Sequence, residues 1–376
     1  MHILLIDDIF PINTRNTKIL NSLSSHYKDE AKISVITWNR TNSSTDGSNN
    51  YFFYNKVSAY GHKFRKLMNL WGYRKFCHDT IRHLKPDIII ASHWNNLLLV
   101  PKLDTKRQML IYDNLDIPTG PKVLRDIAAF LEKQKMKKVD LTIHASRFFA
   151  PLYSKSFNQL VLENKPVFTT TPIDYHLHTP IRIAFIGLIR HLDILRNLIS
   201  AVRGNPNFQL YLHGDGHASM QLQEYSKEDS NVFFTGRYSY NEIDKLYEQA
   251  DIIWAAYPNK DFNVKYAISN KFHESLIFGL PTIYSENTQV GEFASRNHIG
   301  IQVNPYSVDS IKSLLDKIVS GSINLRQIHD DMVTYQSTQT SWNTDFVEVT
   351  NQIQRFYTAA FRLKGCVSVS AFNEKL

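Results

Sequence analysis

The sequence predicts an α/β protein built from two doubly wound parallel sheets. Its 376 residues suit about two domains of roughly 100–200 residues each. Strand-length apolar runs alternate with helical patterns, and several runs are almost continuous in Ile, Leu and Val. Such runs are typical of parallel strands covered on both faces. Two of these series follow one another, separated by a linker that contains Thr169, Thr170, Thr171, Pro172 and Pro180.

The first series predicts a sheet with helices between its strands. Helical patterns cover 63–84 and 121–138, and the polar stretch 41–50 is expected to be a loop. The predicted strands are Ile3–Ile6, Ile33–Thr37, Asp87–Ala91, Met109–Tyr112, Leu141–His144 and Leu160–Leu162.

The second series repeats this alternation and ends in one more helix. That helix is predicted over 341–363, and the polar residues 364–376 after it are expected to be a flexible tail. The predicted strands are Ile181–Ile186, Gln209–Leu212, Val232–Phe234, Ile252–Ala256, Thr282–Tyr284 and Ile301–Val303. The domains are therefore expected at 1–170 and 180–340.

Composition excludes several classes of protein. With 43% hydrophobic and 21% charged residues, the chain is neither disordered nor fibrous. Cys77 and Cys366 lie far apart, which argues against a disulfide framework or a zinc cage and favours a reducing compartment. The start, MHILLIDDIFP, lacks the features of a signal peptide, and no apolar run reaches the roughly 18 residues of a membrane span. We expect a cytoplasmic protein that does not cross a membrane.

The positive charge is concentrated in two segments of the first half. The net charge is +8, and Lys and Arg far outnumber acids over 56–85 and 122–138. Such a surface suits nucleic acid, an anionic membrane leaflet or a phosphorylated substrate, although solvated helix faces explain it equally well. Nucleic acid ranks last, because no recognition motif accompanies the charge. The apolar residues of the first segment are expected in the core rather than at a membrane interface; they are Phe64, Leu67, Leu70 and Trp71.

Ligands of doubly wound sheets bind beyond the carboxyl ends of the strands, so the residues there are candidates. Gly187 follows a strand and lets the backbone approach a ligand, and Arg190 offers a forked donor to phosphate, unless it is simply solvated. The Gly214–Gly216 turn is either plain or a ligand contact. Tyr257 either stacks on a base or packs against its loop. Neither a dinucleotide fingerprint nor a Walker loop is present.

The strongest local signal is a short helix predicted from Ser269 and Asn270 to Phe278 and closed by Gly279. Lys271 and Glu274 share one face of its first turns. An ammonium beside exposed backbone N–H groups suits a diphosphate, and a carboxylate one turn later suits the hydroxyl pair of a ribose. The alternative is a salt bridge on a surface helix.

At this motif the sequence resembles the GT-B glycosyltransferases, in particular the glycosyltransferase-4-like enzymes of bacterial exopolysaccharide and capsule synthesis. The likeness rests on Asn270-Lys271-Phe-His-Glu274, on Gly279-Leu280-Pro281, and on the segments IAFIGLIR (183–190), YLHGDG (211–216) and NVFFTGRYSYNEIDKLYEQADIIWAAYP (231–258).

The resemblance implies two Rossmann-like domains that face each other across a cleft. Domain 1–170 would bind the acceptor, domain 180–340 the nucleotide-sugar, and helix 341–363 would return to the first domain. Glu274 would hold the donor ribose, Lys271 and Arg190 would face the diphosphate, and Tyr257 would lie near the nucleotide. Gly187 and Asn270 are further candidate donor contacts. The family's second glutamate is replaced by Tyr266, which leaves retention or inversion open.

The first half resembles the glucuronosyltransferase of xanthan synthesis. The similar segments are DDIFPINTRN (7–16) and LIYDNLDIP (110–118). The likeness implies that Asp116 is the catalytic base, with Asp113 as its competitor. Asp8, in the first of these segments, and His93, which follows a predicted strand, are the candidate acceptor contacts. That relative has Gln in the place of Glu274.

Together these features predict a glycosyltransferase that moves a sugar from a nucleotide-sugar donor to a lipid-linked or growing glycan in cell-surface polysaccharide synthesis. No Asp-x-Asp metal motif lies at a strand end, so we expect neither a metal nor another cofactor. We expect the protein on the inner face of the plasma membrane, held peripherally by its basic segments. The alternatives are a nucleotide-sugar 2-epimerase and a non-catalytic scaffold that binds nucleotide-sugar.

Overall fold

The computed structural model describes residues 1–41, 43, 50–57, 63–104, 107–168 and 171–363, without the side chains of 63–68 and 360–363. The chain divides into two compact units. The first holds Met1–Glu163 together with the final helix, and the second holds Asn164–Ser341.

The first unit is a parallel sheet with strand order β3-β2-β1-β4-β5-β6-β7. Its strands are β1 (His2–Asp7), β2 (Lys32–Asn39), β3 (Tyr51–Asn55), β4 (Ile88–Ser92), β5 (Met109–Asn114), β6 (Leu141–His144) and β7 (Gln159–Val161). Its helices are α1 (Thr14–Tyr27), α2 (Lys63–Leu84), α3 (Trp94–Leu99) and α4 (Lys122–Met136). The order reverses beside β1, which pairs with both β2 and β4, so this is a doubly wound sheet.

The second unit is a parallel sheet with strand order β10-β9-β8-β11-β12-β13. Its strands are β8 (Ile181–Ile186), β9 (Phe208–His213), β10 (Val232–Gly236), β11 (Ile252–Ala255), β12 (Thr282–Ser285) and β13 (Ile301–Val303). Its helices are α5 (Leu192–Val202), α6 (Ser219–Tyr225), α7 (Ile243–Glu248), α8 (Phe262–Tyr266), α9 (Asn270–Phe278), α10 (Gln289–Arg296), α11 (Val308–Val319) and α12 (Leu325–Ser337). Buried Ile, Leu and Val from the strands form one core with α5 and α11.

The last helix, α13 (Trp342–Leu363), packs on the first unit. The indole of Trp342 is buried there and its Nε1 donates to Ser22 Oγ at 2.9 Å. The predicted return of this helix to the first domain is therefore confirmed. The predicted tail, 364–376, lies outside the described residues.

The two predicted parallel sheets are confirmed, with each predicted strand close to its observed position. Strand β3 is an addition that the pattern did not indicate. The expectation that Trp71 belongs to the core is wrong: it lies on α2 with 70% of its surface exposed. The side chains of Phe64 and Leu67 lie outside the described set. None of the helices in the described ranges combines the length and the apolar character needed to span a bilayer.

Candidate active site

Two loops of the second unit touch at the carboxyl ends of β8 and β9. Gly187 has φ +141° and donates its N–H to the His213 carbonyl at 2.8 Å. A Cβ on Gly214, which has φ +131°, would lie 1.9 Å from the Gly187 carbonyl oxygen. Only glycine fits such a backbone contact, so these residues allow the two loops to pack closely at the sheet edge.

Helix α9 begins at this edge and carries Lys271 in its first turn. Ser269 precedes the helix with an extended backbone, and its side chain makes no capping hydrogen bond. The Lys271 side chain is buried, and its Nζ lies 2.9 Å from the position that a Cβ on Gly187 would occupy. Nζ also lies 5.0 Å from the ring centre of Phe185 and 5.7 Å from that of Tyr257. Three candidates, Gly187, Tyr257 and Lys271, thus meet at one point.

The buried ammonium of Lys271 keeps its charge. Burial by itself lowers the pKa of Lys271, but the hydroxyl of Tyr257, the carboxylate of Glu274 and Tyr238 outweigh that effect, so the pKa is raised. A raised lysine pKa means a protonated side chain at every physiological pH. A fixed cation beside the uncapped N-terminus of α9 is an arrangement that attracts phosphate.

Glu274 lies one turn further along α9, buried and held by two tyrosines. Its Oε1 accepts a hydrogen bond from Tyr240 Oη at 3.2 Å, and its Oε2 accepts one from Tyr247 Oη at 2.8 Å. Burial raises the pKa of both phenols, which therefore stay neutral donors. Each carboxylate oxygen retains a lone pair for a further donor. Because Lys271 and Glu274 are both buried, the alternative of a surface salt bridge is wrong.

Sequence reasoning missed these two tyrosines. They come from the turn after β10 and from α7, so no spacing within the α9 motif points to them. The available signal was the segment YNEIDKLYEQAD (240–251), which contributed to the family resemblance but was assigned no site residue.

The remaining candidates for binding the nucleotide-sugar, Arg190 and Asn270, are exposed. Arg190 is exposed and its Nε donates to His191 Nε2 at 3.1 Å. Burial, with a smaller effect of Arg190, lowers the pKa of His191 to about 4, so that imidazole is a neutral acceptor. Asn270 is exposed, and its Oδ1 accepts a hydrogen bond from Asn164 Nδ2 at 2.7 Å. Tyr266, at the place of the family's second glutamate, packs edge-on against Phe262.

In the first unit, the structure separates the two candidate aspartates. Asp113 is fully buried, and Arg15 donates to it through Nε at 3.1 Å and through Nη2 at 2.7 Å. The Asp116 side chain is 51% exposed, and its Oδ2 lies 3.7 Å from His93 Nδ1. The Asp116 side chain is therefore largely exposed to solvent, whereas Asp113 belongs to an internal ion pair.

The two acceptor candidates differ in the same way. Asp8 is buried, and its carboxylate accepts hydrogen bonds from Arg40, from Asn95 at 3.0 Å and from Asn96 at 3.2 Å. The Asp8 carboxylate thus accepts its hydrogen bonds from side chains of the same unit. His93 follows β4 with φ +69°, a strained backbone for a non-glycine residue, of a kind that clusters at functional sites. The described residues include no group of three or more His, Cys, Asp or Glu side chains that could hold a metal ion.

Comparison with known proteins gives one family and many related structures. The family model described as "Glycosyl transferases group 1" matches residues 180–320, the segment that holds Gly187, Lys271 and Glu274. Comparison with curated protein sequences gave no match.

Among solved structures, the sucrose-phosphate synthase of Thermosynechococcus elongatus has a TM-score of 0.72 at 13% identity, over 95% of this chain and 99% of that one. Anabaena HepE, in complex with UDP and glucose, has a TM-score of 0.67 at 13% identity, over 94% and 99%. The lipopolysaccharide outer core galactosyltransferase WaaB has a TM-score of 0.63 at 14% identity, over 94% and 99%. Residues 180–320 thus match a group 1 glycosyl transferase model and the chain has the GT-B fold, and together these findings support a glycosyltransferase.

Proposed function

We propose that the protein transfers a sugar from a nucleotide-sugar donor to a lipid-linked or growing glycan in cell-surface polysaccharide synthesis. One observation carries the proposal: a buried, charged Lys271 beside Gly187 at the start of α9, with the carboxylate of Glu274 one turn later. The ammonium and the helix N-terminus suit a diphosphate, and the carboxylate suits a ribose. Among the neighbours, HepE was crystallised with UDP and with UDP-glucose, and WaaB acts in the lipopolysaccharide outer core.

In this proposal the protein's own groups stabilise the leaving diphosphate, and no metal or cofactor takes part. Negative charge grows on the diphosphate as its bond to the sugar breaks. Lys271 and the first N–H groups of α9 face that charge from fixed positions, which is the arrangement that lowers a barrier most effectively. The exposed guanidinium of Arg190 adds a forked set of hydrogen-bond donors to the diphosphate once the nucleotide-sugar is bound.

For an inverting reaction, Asp116 is the proposed base. The acceptor oxygen forms the bond to the sugar's anomeric carbon while the bond from that carbon to the diphosphate breaks, and the hydroxyl proton passes to Asp116. The half-exposed carboxylate is open to an acceptor hydroxyl, and His93 lies beside it.

Because the proposed acceptor is lipid-linked, the protein is proposed to bind peripherally at the inner face of the plasma membrane. The basic segments 56–85 and 122–138 belong to the first unit, and cationic side chains near an anionic leaflet are attracted to it.

A screen of nucleotide-sugars for thermal stabilisation tests the donor. We expect one of them to raise the melting temperature of the native protein, because a ligand bound only by the folded state stabilises it. Lys271→Met should lose the effect, whereas Lys312→Met, an exposed lysine on α11, should keep it. Stabilisation that survives in Lys271→Met would contradict the proposed site.

Product analysis then tests the reaction. A new glycoside that requires an acceptor supports transfer. A rearranged or hydrolysed donor without an acceptor would identify a 2-epimerase-like enzyme. Donor affinity with no turnover on any acceptor would identify a scaffold.

A further inference from the structure

Helix α4 turns its apolar side outward. Five of its large apolar side chains recur at helical spacing on one face, and all five are exposed: Val123, Leu124, Ile127, Phe130 and Leu131. Val123 is 70% exposed and Phe130 is 60% exposed. A surface helix of a globular protein normally directs such a stripe into the core. We call these five side chains the α4 face.

The opposite side of α4 explains this orientation. Glu132 is 1% exposed and accepts hydrogen bonds from Tyr112 Oη at 2.6 Å and Tyr153 Oη at 2.8 Å. Met136, on the same side, is also buried. Rotating the α4 face inward would expose Met136 and leave buried tyrosine hydroxyls without their acceptor, a costly change. The helix is therefore held with its apolar face in solvent.

Positive charge surrounds the α4 face. Exposed lysines lie on the helix and just after its end: Lys122, Lys133, Lys137 and Lys138. The acid Asp126 is paired with Arg125 at 3.0 Å. On α2, the exposed ring of Trp71 lies 6.0 Å from the guanidinium of Arg74, whose charge also acts on Lys135 of α4. The apolar face thus belongs to a helix with several exposed cations, and Arg74 of α2 lies near enough for its charge to act on that helix.

We propose that the α4 face inserts into an anionic phospholipid bilayer, with α4 lying in the plane of the interface. Apolar side chains in the acyl boundary and lysines among anionic headgroups are the pattern of interfacial helices. A second copy of the chain fits poorly, because self-association through this face would bring two sets of lysines together. This inference rests on the proposed function, because insertion would give the enzyme access to a lipid-linked acceptor.

The test uses the full chain with vesicles of phosphatidylcholine and phosphatidylglycerol, at low and high salt. Insertion predicts binding that weakens at high salt but persists, since the apolar contribution is not screened. The double variant Ile127→Ser/Phe130→Ser should lower vesicle partition by at least about tenfold. Val347→Ser, which removes an apolar side chain of similar exposure on α13, should leave it unchanged. Complete loss of native binding at high salt would overturn the inference, as would an unaffected double variant.

Fluorescence gives a second readout that does not depend on affinity. In Phe130→Trp, the added indole should shift to shorter wavelength with vesicles and be quenched by brominated lipid acyl chains. An indole that stays in water while the protein is bound would overturn insertion. So would a lipid-free dimer abolished by Ile127→Ser/Phe130→Ser, since the occupant would then be a second copy.

Donor stabilisation measured without vesicles separates this inference from the proposed function. The nucleotide-sugar should still raise the melting temperature of the double variant. Vesicle binding with no response to any nucleotide-sugar would remove the proposed function and leave the insertion surface standing.

Discussion

Replacing Lys271 by methionine should impair binding and turnover of the nucleotide-sugar while leaving the stability of the fold nearly unchanged. Methionine has nearly the volume of lysine and is apolar, so the buried side chain keeps its packing and loses its charge. Volume-conserving swaps between apolar residues cost less than about 1.5 kcal/mol, and Lys271→Met in addition removes the desolvation cost of a buried ammonium. Removing one fixed donor that faces developing charge costs about 2.7–4 kcal/mol in the transition state, a fall of about 10²–10³ in kcat. The expected loss of activity thus exceeds the expected loss of stability.

The assay for Lys271→Met combines thermal melting with turnover of the nucleotide-sugar found by the screen. The melting temperature without ligand should fall by no more than about 6 °C, given a cost below about 1.5 kcal/mol and a shift of about 2–4 °C per kcal/mol for a domain of this size. Stabilisation by the nucleotide-sugar should disappear, and turnover should fall by about 10²–10³. Equal turnover in Lys271→Met and Lys312→Met, with normal melting, would refute the role given to the buried ammonium.

Further substitutions test the other parts of the site. Tyr247→Phe removes one hydrogen bond to the carboxylate of Glu274 and should weaken donor binding by about tenfold in a titration, since bonds to charged groups contribute about 1.5–3 kcal/mol. Unchanged affinity would mean that Tyr247 does not position Glu274. Asp116→Asn should melt normally but lose about 10²–10⁴ in turnover, whereas Asp113→Asn should lose about 3–5 kcal/mol of stability. The reverse pattern would make Asp113 the base. Burial lowers the pKa of His144 to about 4, so stability should fall by up to about 3 kcal/mol as the pH drops from 6.5 to 4. Urea unfolding should show a flatter pH dependence in His144→Gln, and an identical dependence would contradict the argument.

Strand positions followed from the sequence because parallel strands covered on both faces must be apolar nearly throughout. The run Ile181–Ile186 was predicted with its observed bounds, since Pro180 precedes it and Gly187 follows it. Strand β3, Tyr51–Asn55, escaped the same reasoning. It is an edge strand that is half-buried, and it carries Tyr and Phe rather than a run of aliphatic residues.

Side-chain pairing over long sequence separations was beyond pattern reasoning. Asp113 and Asp116 both lie near the end of β5, and the contact of Asp113 with Arg15, 98 residues away, distinguishes a buried ion pair from an exposed carboxylate. Likewise, the apolar stripe of α4 reads as a core-facing surface until Tyr112 and Tyr153 are seen to bind Glu132 from the other side. In both cases a buried polar contact decides the orientation, and its partner lies far away in sequence.

The burial of Lys271 links the fold to the proposed chemistry. Moving an ammonium out of water costs several kcal/mol, so a protein retains it inside only where other groups compensate. Here the compensating groups are Tyr257, Glu274 and Tyr238, all supplied when the domain folds. A diphosphate arriving at α9 would meet a cation that is already desolvated and oriented, so binding would not repeat the cost of ordering it. An exposed lysine of the same charge would have to be immobilised by each donor molecule. It is therefore the burial of Lys271, and not its charge alone, that suits this strand-to-helix turn to stabilising a leaving diphosphate.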